Sequence, residues 1–186
     1  MKPAFRLALS AAALSFAGAV SAAPAYTATH GDVTFSATQM GVVMKGRFGT
    51  AQVQGSFNPA DLAHSHLTVS VDTASIDAGG KDTDDLLKGP DWLDAPHFPK
   101  AVFVSDAFQA AGPGHYRVSG HFTVKGHTHP MTVVAATRSD AHGLHLDADF
   151  SIDRTTWGLG TGSWADPGVV AAALPVHVDL LLAPAR

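Results

Sequence analysis

At 186 residues the chain has single-domain length, enough to bury one core or to enclose one ligand cavity. It contains no cysteine, which excludes disulfides, thiolate metal sites, c-type haem and cysteine nucleophiles. Sixteen acidic residues outnumber twelve basic ones, and an acidic chain is a poor partner for phosphates, so no nucleic acid ligand is expected.

Residues 1–22 carry the parts of a secretory signal. Lys2 and Arg6 precede an apolar stretch from Leu7 to Val20, and Val20-Ser21-Ala22 supplies the small-residue cleavage site. Cleavage is expected after Ala22, because a cut after Ala23 would leave Pro24 next. The apolar run is short for a membrane span, and no Cys follows the cut to take a lipid anchor. Residues 23–186 then form one domain, and the loss of Lys2 and Arg6 takes its charge to −6. All sixteen acids are Asp, a turn and cap former but a weak helix former. With 18 Gly and 11 Pro, the composition favours strands and turns.

Period-two alternation marks the strands. Asp32 to Thr38 alternates through Val33, Phe35 and Ala37. Met40 to Phe48 reads as a bend followed by a return strand. Ala51, Val53, Gly55 and Phe57 share one face of the next strand, which Asn58-Pro59 closes. Leu67, Val69 and Val71 give another. Lys81 to Lys88 predicts a helix, with Asp82 as N-cap and Lys88 at the negative end of the dipole, and Pro90 to Leu93 reads as a second short turn of helix. Ala101–Phe108, Leu144–Ile152 and Ala173–Leu182 complete the set, apart from one hairpin. That hairpin is the most regular pattern in the chain: Tyr116, Val118, Phe122 and Val124 alternate, then Met131 and Val133, around a turn cluster from Lys125 to Pro130. Eight to nine strands with one helical excursion indicate an all-β, antiparallel meander that closes into a barrel or packs as a sandwich.

Three segments carry a family resemblance: Trp92-Leu93-Asp94-Ala95-Pro96-His97-Phe98-Pro99-Lys100-Ala101-Val102-Phe103, the stretch Val118 to Pro130, and Phe150 to Gly160. Together with Gly46-Arg47-Phe48 and the acidic helix, in this order and spacing, they resemble the YceI-like family of bacterial periplasmic proteins. The likeness runs from about Tyr26 to Leu182, with a longer Gly-rich segment at Gly158 to Gly168. It implies an extended antiparallel eight-stranded barrel of lipocalin-like build. It also implies a periplasmic location and a long isoprenoid lipid, a polyprenyl compound or quinone, held inside the barrel without a covalent cofactor. A cytochrome b561-type membrane protein is the partner the family suggests. That gives a second reading, an interaction or stress protein for such a partner with no obligatory ligand. A homodimer is also allowed for.

The expected ligand wall starts with the inward-facing apolar positions Phe35, Phe48, Val69, Phe103, Val118 and Phe122, with Leu146 and Phe150. An eight-stranded barrel is wide enough to hold one small ligand. Met40 and Met44 add adaptable side chains that suit a prenyl tail. Trp92 and Trp157, outside the strands, are expected at a barrel mouth, as is Trp164. The pairs His64/His66 and His127/His129 have metal-ligand spacing, yet both sit beside turn signals and read as surface decoration. Asp82, Asp84 and Asp85 lack the Glu and Gly of a calcium loop. Gly158 to Gly162 is no phosphate loop, since no Lys opens a helix after it, and is expected to be a mobile rim loop. No nucleophile elbow or HExxH occurs, so no catalytic residue and no metal ligand is assigned. A small hydrolase remains the third reading.

Overall fold

The computed structural model describes residues 26–185; the expected signal segment, residues 1–22, lies outside them. The nine strands are β1 (Tyr26–Gln39), β2 (Val42–Arg47), β3 (Ala51–Phe57), β4 (His66–Asp72), β5 (Lys100–Ala110), β6 (His115–Val124), β7 (His127–Ser139), β8 (Leu144–Asp153) and β9 (Ala173–Pro184). Helix α1 (Lys81–Lys88) falls between β4 and β5. All pairings are antiparallel. β1 pairs with β9 from Tyr26↔Pro184 to Phe35↔Val176, which closes the sheet on itself. β2 and β3 share one flank of β1: β2 lies along Thr34–Gln39 and β3 along Tyr26–Gly31. The nine strands therefore make eight staves, and the expected eight-stranded antiparallel barrel is the fold found.

Strand parity sets what points inward. Val53, Phe57, Leu67, Val118, Val124, Leu144, Leu146, Leu180 and Leu182 are buried, and their neighbours in sequence face out. One end of the barrel is plugged. Phe57 meets Phe108 at 5.4 Å between ring centroids and Tyr116 edge-on at 4.9 Å, above a buried Leu182. The other end carries the long connections, 73–99 and 154–172.

Two local expectations are corrected. The β6–β7 turn is only Lys125-Gly126, with φ of 49° and 76°, the left-handed pair that a tight hairpin needs. His127 to Pro130 are strand, paired with Val124 back to His121. Pro130 fits because β8 pairs with β7 only from Ala135 to Ser139, so no ladder donor is asked of it on that flank. Gly126 is fixed twice, by φ and by space, since a Cβ there would lie 2.7 Å from the Phe98 ring. In α1 the N-cap is Gly80, not Asp82. Asp84 turns back to accept the Ala78 N–H at 2.7 Å, and Asp85 pairs with Lys81. Pro90 to Leu93 form turns rather than a second helix.

The outer face of β7, β8 and β9 holds a charge cluster. His145 donates through Nδ1 to Asp179 at 2.7 Å and through Nε2 to Asp140 at 3.0 Å. Arg138 reaches Asp179 at 2.6 Å and Asp147 at 3.2 Å. The hydrogen bond to Asp179 raises the His145 pKa above its ordinary value, opposed by partial burial and by the Arg138 charge. A folded-state pKa above the unfolded one means the cluster stabilises fully below the unfolded value, about 6.5, and loses that contribution as pH rises through the folded value. Stability measured by urea denaturation is therefore expected to fall as pH rises above about 6.5, and His145→Gln should flatten that slope.

Candidate functional site

An elongated cavity of about 250 Å³ runs inside the barrel. On β6 its wall extends from Val118 through Phe122 to Val124. Six residue steps along a tilted strand correspond to about 14–16 Å along the barrel. A small volume drawn out over that length is a narrow tube. Its wall is apolar almost throughout: Gln39, Lys45 and Thr83 are the only lining residues with polar side chains. Gln39 and Lys45 belong to the β1–β2 hairpin and Thr83 to α1, so the polar groups gather at one end. That end, opposite the Phe57 plug, is the mouth.

Ten of the twelve expected wall residues line this tube: Phe35, Met44, Phe48, Val69, Trp92, Phe103, Val118, Phe122, Leu146 and Phe150. Phe35 lies over Gly46, where a Cβ would come within 2.4 Å of the ring, and meets Phe48 at 5.6 Å. The other two are placed elsewhere. Met40 sits in the β1–β2 turn, 78% exposed, because the strand ends before it can return inward. Trp157 is buried but off the tube. It packs edge-on against Phe122 at 5.5 Å and against His129 at 5.3 Å, and donates Nε1 to the Phe122 carbonyl at 3.3 Å. His129 is thus a packing partner in β7, not turn decoration. His64 pairs with Asp61 at 2.9 Å on the surface. Among the described residues no group of three or more His, Cys, Asp or Glu side chains is arranged so that it could hold a metal ion.

Several features of the site were not expected. Helix α1 supplies Leu86 and Leu87, as well as Thr83, to the wall near the mouth. The Leu86-Leu87 pair on one side of the otherwise polar KDTDDLLK sequence is the signal that marks a face turned to the wall, although neither leucine is fully buried. The Gly-rich segment is tied down rather than loose. Gly160 and Thr161 donate backbone N–H groups to the Asp91 carbonyl at 2.7 and 2.9 Å, and Leu159 is buried in the wall. Its organiser is Arg154, fully buried. The guanidinium donates to the carbonyls of Leu159, Gly160, Trp164, Val170 and Ala171 at 2.7–3.2 Å, and lies 5.7 Å from the Trp92 ring centre. Burial pushes its pKa down, partly offset by Asp153. The Trp92 ring also meets Trp164 at 6.1 Å, and its Nε1 is buried with no partner among the described residues. The arrangement is a closed floor, an apolar tube and a roof cross-braced by one arginine. It is suited to excluding water from a hydrocarbon.

Comparison with known proteins gives the same architecture. A family model, YceI-like domain, matches residues 25–182. A UPF0312 protein of Vibrio cholerae is 32% identical over 107 residues, and one of Vibrio parahaemolyticus is 33% identical over the same length. Each match covers 57% of this chain and 57% of the relative, so the chain spans little more than half the length of these curated relatives. The crystal structure of Burkholderia cenocepacia BcnA superposes with a TM-score of 0.78 at 33% identity, covering 82% of this chain and 96% of that one. A polyisoprenoid binding domain from Saccharophagus degradans superposes with a TM-score of 0.66 at 16% identity, covering 88% and 99%. With the family model spanning nearly all of the described residues, and a solved relative at 33% identity sharing the barrel, the chain belongs to the YceI-like domain family.

Proposed function

We propose that the protein is an exported carrier or store for an isoprenoid lipid, a polyprenyl or quinone tail, held in the barrel tube and shielded from water. One observation carries the reading: an elongated cavity whose wall is apolar except for three polar side chains gathered at its mouth. The Saccharophagus degradans domain of the same fold is described as polyisoprenoid binding, which supports it. The ten lining residues named above are the proposed contacts. A buried CH₂ is worth about 0.8 kcal/mol, so a five-carbon unit contributes roughly 3–4 kcal/mol. Several units already reach the practical ceiling of about 18–21 kcal/mol. Tail preference then follows from tube length rather than from affinity. In this reading no side chain performs chemistry, and the periplasm is the compartment that the N-terminal sequence pattern addresses.

The test is to isolate the protein from a periplasmic extract, record its intact mass, and extract it with organic solvent for mass spectrometry. The expected result is a chain starting at Ala23 and a near-stoichiometric isoprenoid. A chain retaining Met1 would overturn the export reading, and a lipid-free protein would overturn the carrier reading.

A further inference from the structure

The β1–β2 tip breaks two local rules. Met40-Gly41 forms its turn with φ of 47° and 81°, so a bulky Met occupies a left-handed position where Asn, Asp or Gly is favoured. Its side chain gains no packing in return, being 78% exposed. Next to it Val42 and Val43 are 66% and 60% exposed. Consecutive strand residues point to opposite faces, so the tip is apolar on both sides as well as at its end. A protein partner laid against the sheet would cover one face only. A surrounding apolar medium covers all three.

The position and charge of the tip point the same way. β1 leaves β9 at Phe35 while its pairing with β2 continues to Gln39↔Val42, so the hairpin projects beyond the closed barrel. Met40 N–H to Val169 carbonyl and Ala171 N–H to Thr38 carbonyl, both 2.9 Å, brace it from one side. Gln39, Met44 and Lys45 at its base line the cavity mouth. From Val33 to Phe48 the hairpin carries Lys45 and Arg47 and no carboxylate, in a chain whose net charge is −4. Arg47 is paired with Asp77 at 3.2 Å, an exposed pair. Across the mouth, α1 contributes Asp82, Asp84 and Asp85; Asp85 is paired with Lys81, and Asp84 accepts from the Ala78 N–H and keeps its charge.

We propose that this tip is a membrane-docking wedge: Met40, Val42 and Val43 dip into the acyl boundary of an anionic bilayer while Lys45 meets the head groups, which sets the barrel mouth against the lipid surface for loading and release. The proposal rests on the lipid-carrier reading for its purpose but not for its test. An apolar tip with an unpaired lysine beside it is suited to such an interface, and binding should weaken as salt screens the Lys45 attraction.

The experiment is flotation of the full exported protein with vesicles of phosphatidylethanolamine and phosphatidylglycerol, and separately of phosphatidylcholine. Wild type is expected to float with the anionic vesicles and less with the neutral ones. Val42→Ser/Val43→Ser should reduce flotation at least about tenfold while its thermal midpoint stays at the wild-type value. Wild type that does not float, or a double variant that floats equally well, overturns the wedge. So does a wild-type dimer that the double variant converts to monomer, since the tip then covers a second copy. A lipid-free protein that still floats through the tip leaves the wedge standing and removes the carrier reading instead.

Discussion

Replacing Arg154 with Met is expected to lower the unfolding free energy by about 3–5 kcal/mol. The side chain is completely buried, and its donors satisfy five backbone carbonyls spread from Leu159 to Ala171. Met fills much of the same volume but donates nothing. Each buried acceptor left without a partner costs about 1–3 kcal/mol, reduced where the loop relaxes toward water. The stacking on Trp92 goes as well. Lysine should rescue little, because three donors on one nitrogen cannot span carbonyls set around a planar fork. Urea denaturation checks this through a lowered midpoint with an unchanged slope. A loss below about 1 kcal/mol would show that the 158–172 roof folds without its brace.

That arginine also marks where the sequence stops being informative. Strands were legible because burial on one face writes a period of two: β3 and α1 have the predicted bounds, and β5, β8 and β9 extend theirs by one to three residues. The early part of β1 was missed, since Thr27, Thr29 and His30 dilute the alternation, while β9 pairs with Thr27 and His30 and passes Thr29 as a bulge. His127 to Pro130 read as turn because exposed strand residues, free on one flank, can be His, Thr or Pro without penalty. Nothing in a periodic pattern announces a buried guanidinium, whose partners are carbonyls and carry no side-chain signature.

The wall was legible for the same reason as the strands. Parity puts Phe35, Val118, Phe122 and Phe150 inside, but it does not say whether the inside is filled core or open tube. Met40 and Met44 show the limit. Met44 pairs with Ala37 on the inward face, and Met40, four residues earlier, is held outside by the turn. Trp157 shows another: it packs directly on Phe122 and on His129, its partner across the hairpin, yet does not line the tube. The part of the wall from α1 depends on how the 73–99 connection folds back over the mouth, which is tertiary information. Thr73 fixes part of that path by donating its hydroxyl to the Phe98 carbonyl at 2.7 Å, a contact between two positions 25 residues apart.

Phe122→Asp is expected to abolish lipid loading and to destabilise the fold by about 3–5 kcal/mol near neutral pH. Phe122 lies midway along the tube wall, its ring against Trp157. The substitution removes that ring and puts a carboxylate where the lining offers no donor nearby. Burial favours the neutral acid, so the new group should titrate above the ordinary carboxylate range, and the stability deficit should grow as pH rises through that raised value. A hydrocarbon chain would have to lie against the same carboxylate, and extractable lipid should fall at least about tenfold. Two controls separate loading from folding. Phe122→Leu keeps the wall apolar and should keep most of the load. Val134→Asp puts a carboxylate on an outward-facing position of β7 and should change neither load nor stability by more than about 0.5 kcal/mol. The measurements are solvent extraction with mass spectrometry and urea denaturation at two pH values. A folded Phe122→Asp protein carrying the wild-type lipid load would mean that the ligand lies elsewhere than in this tube, and the carrier reading would lose the observation on which it stands.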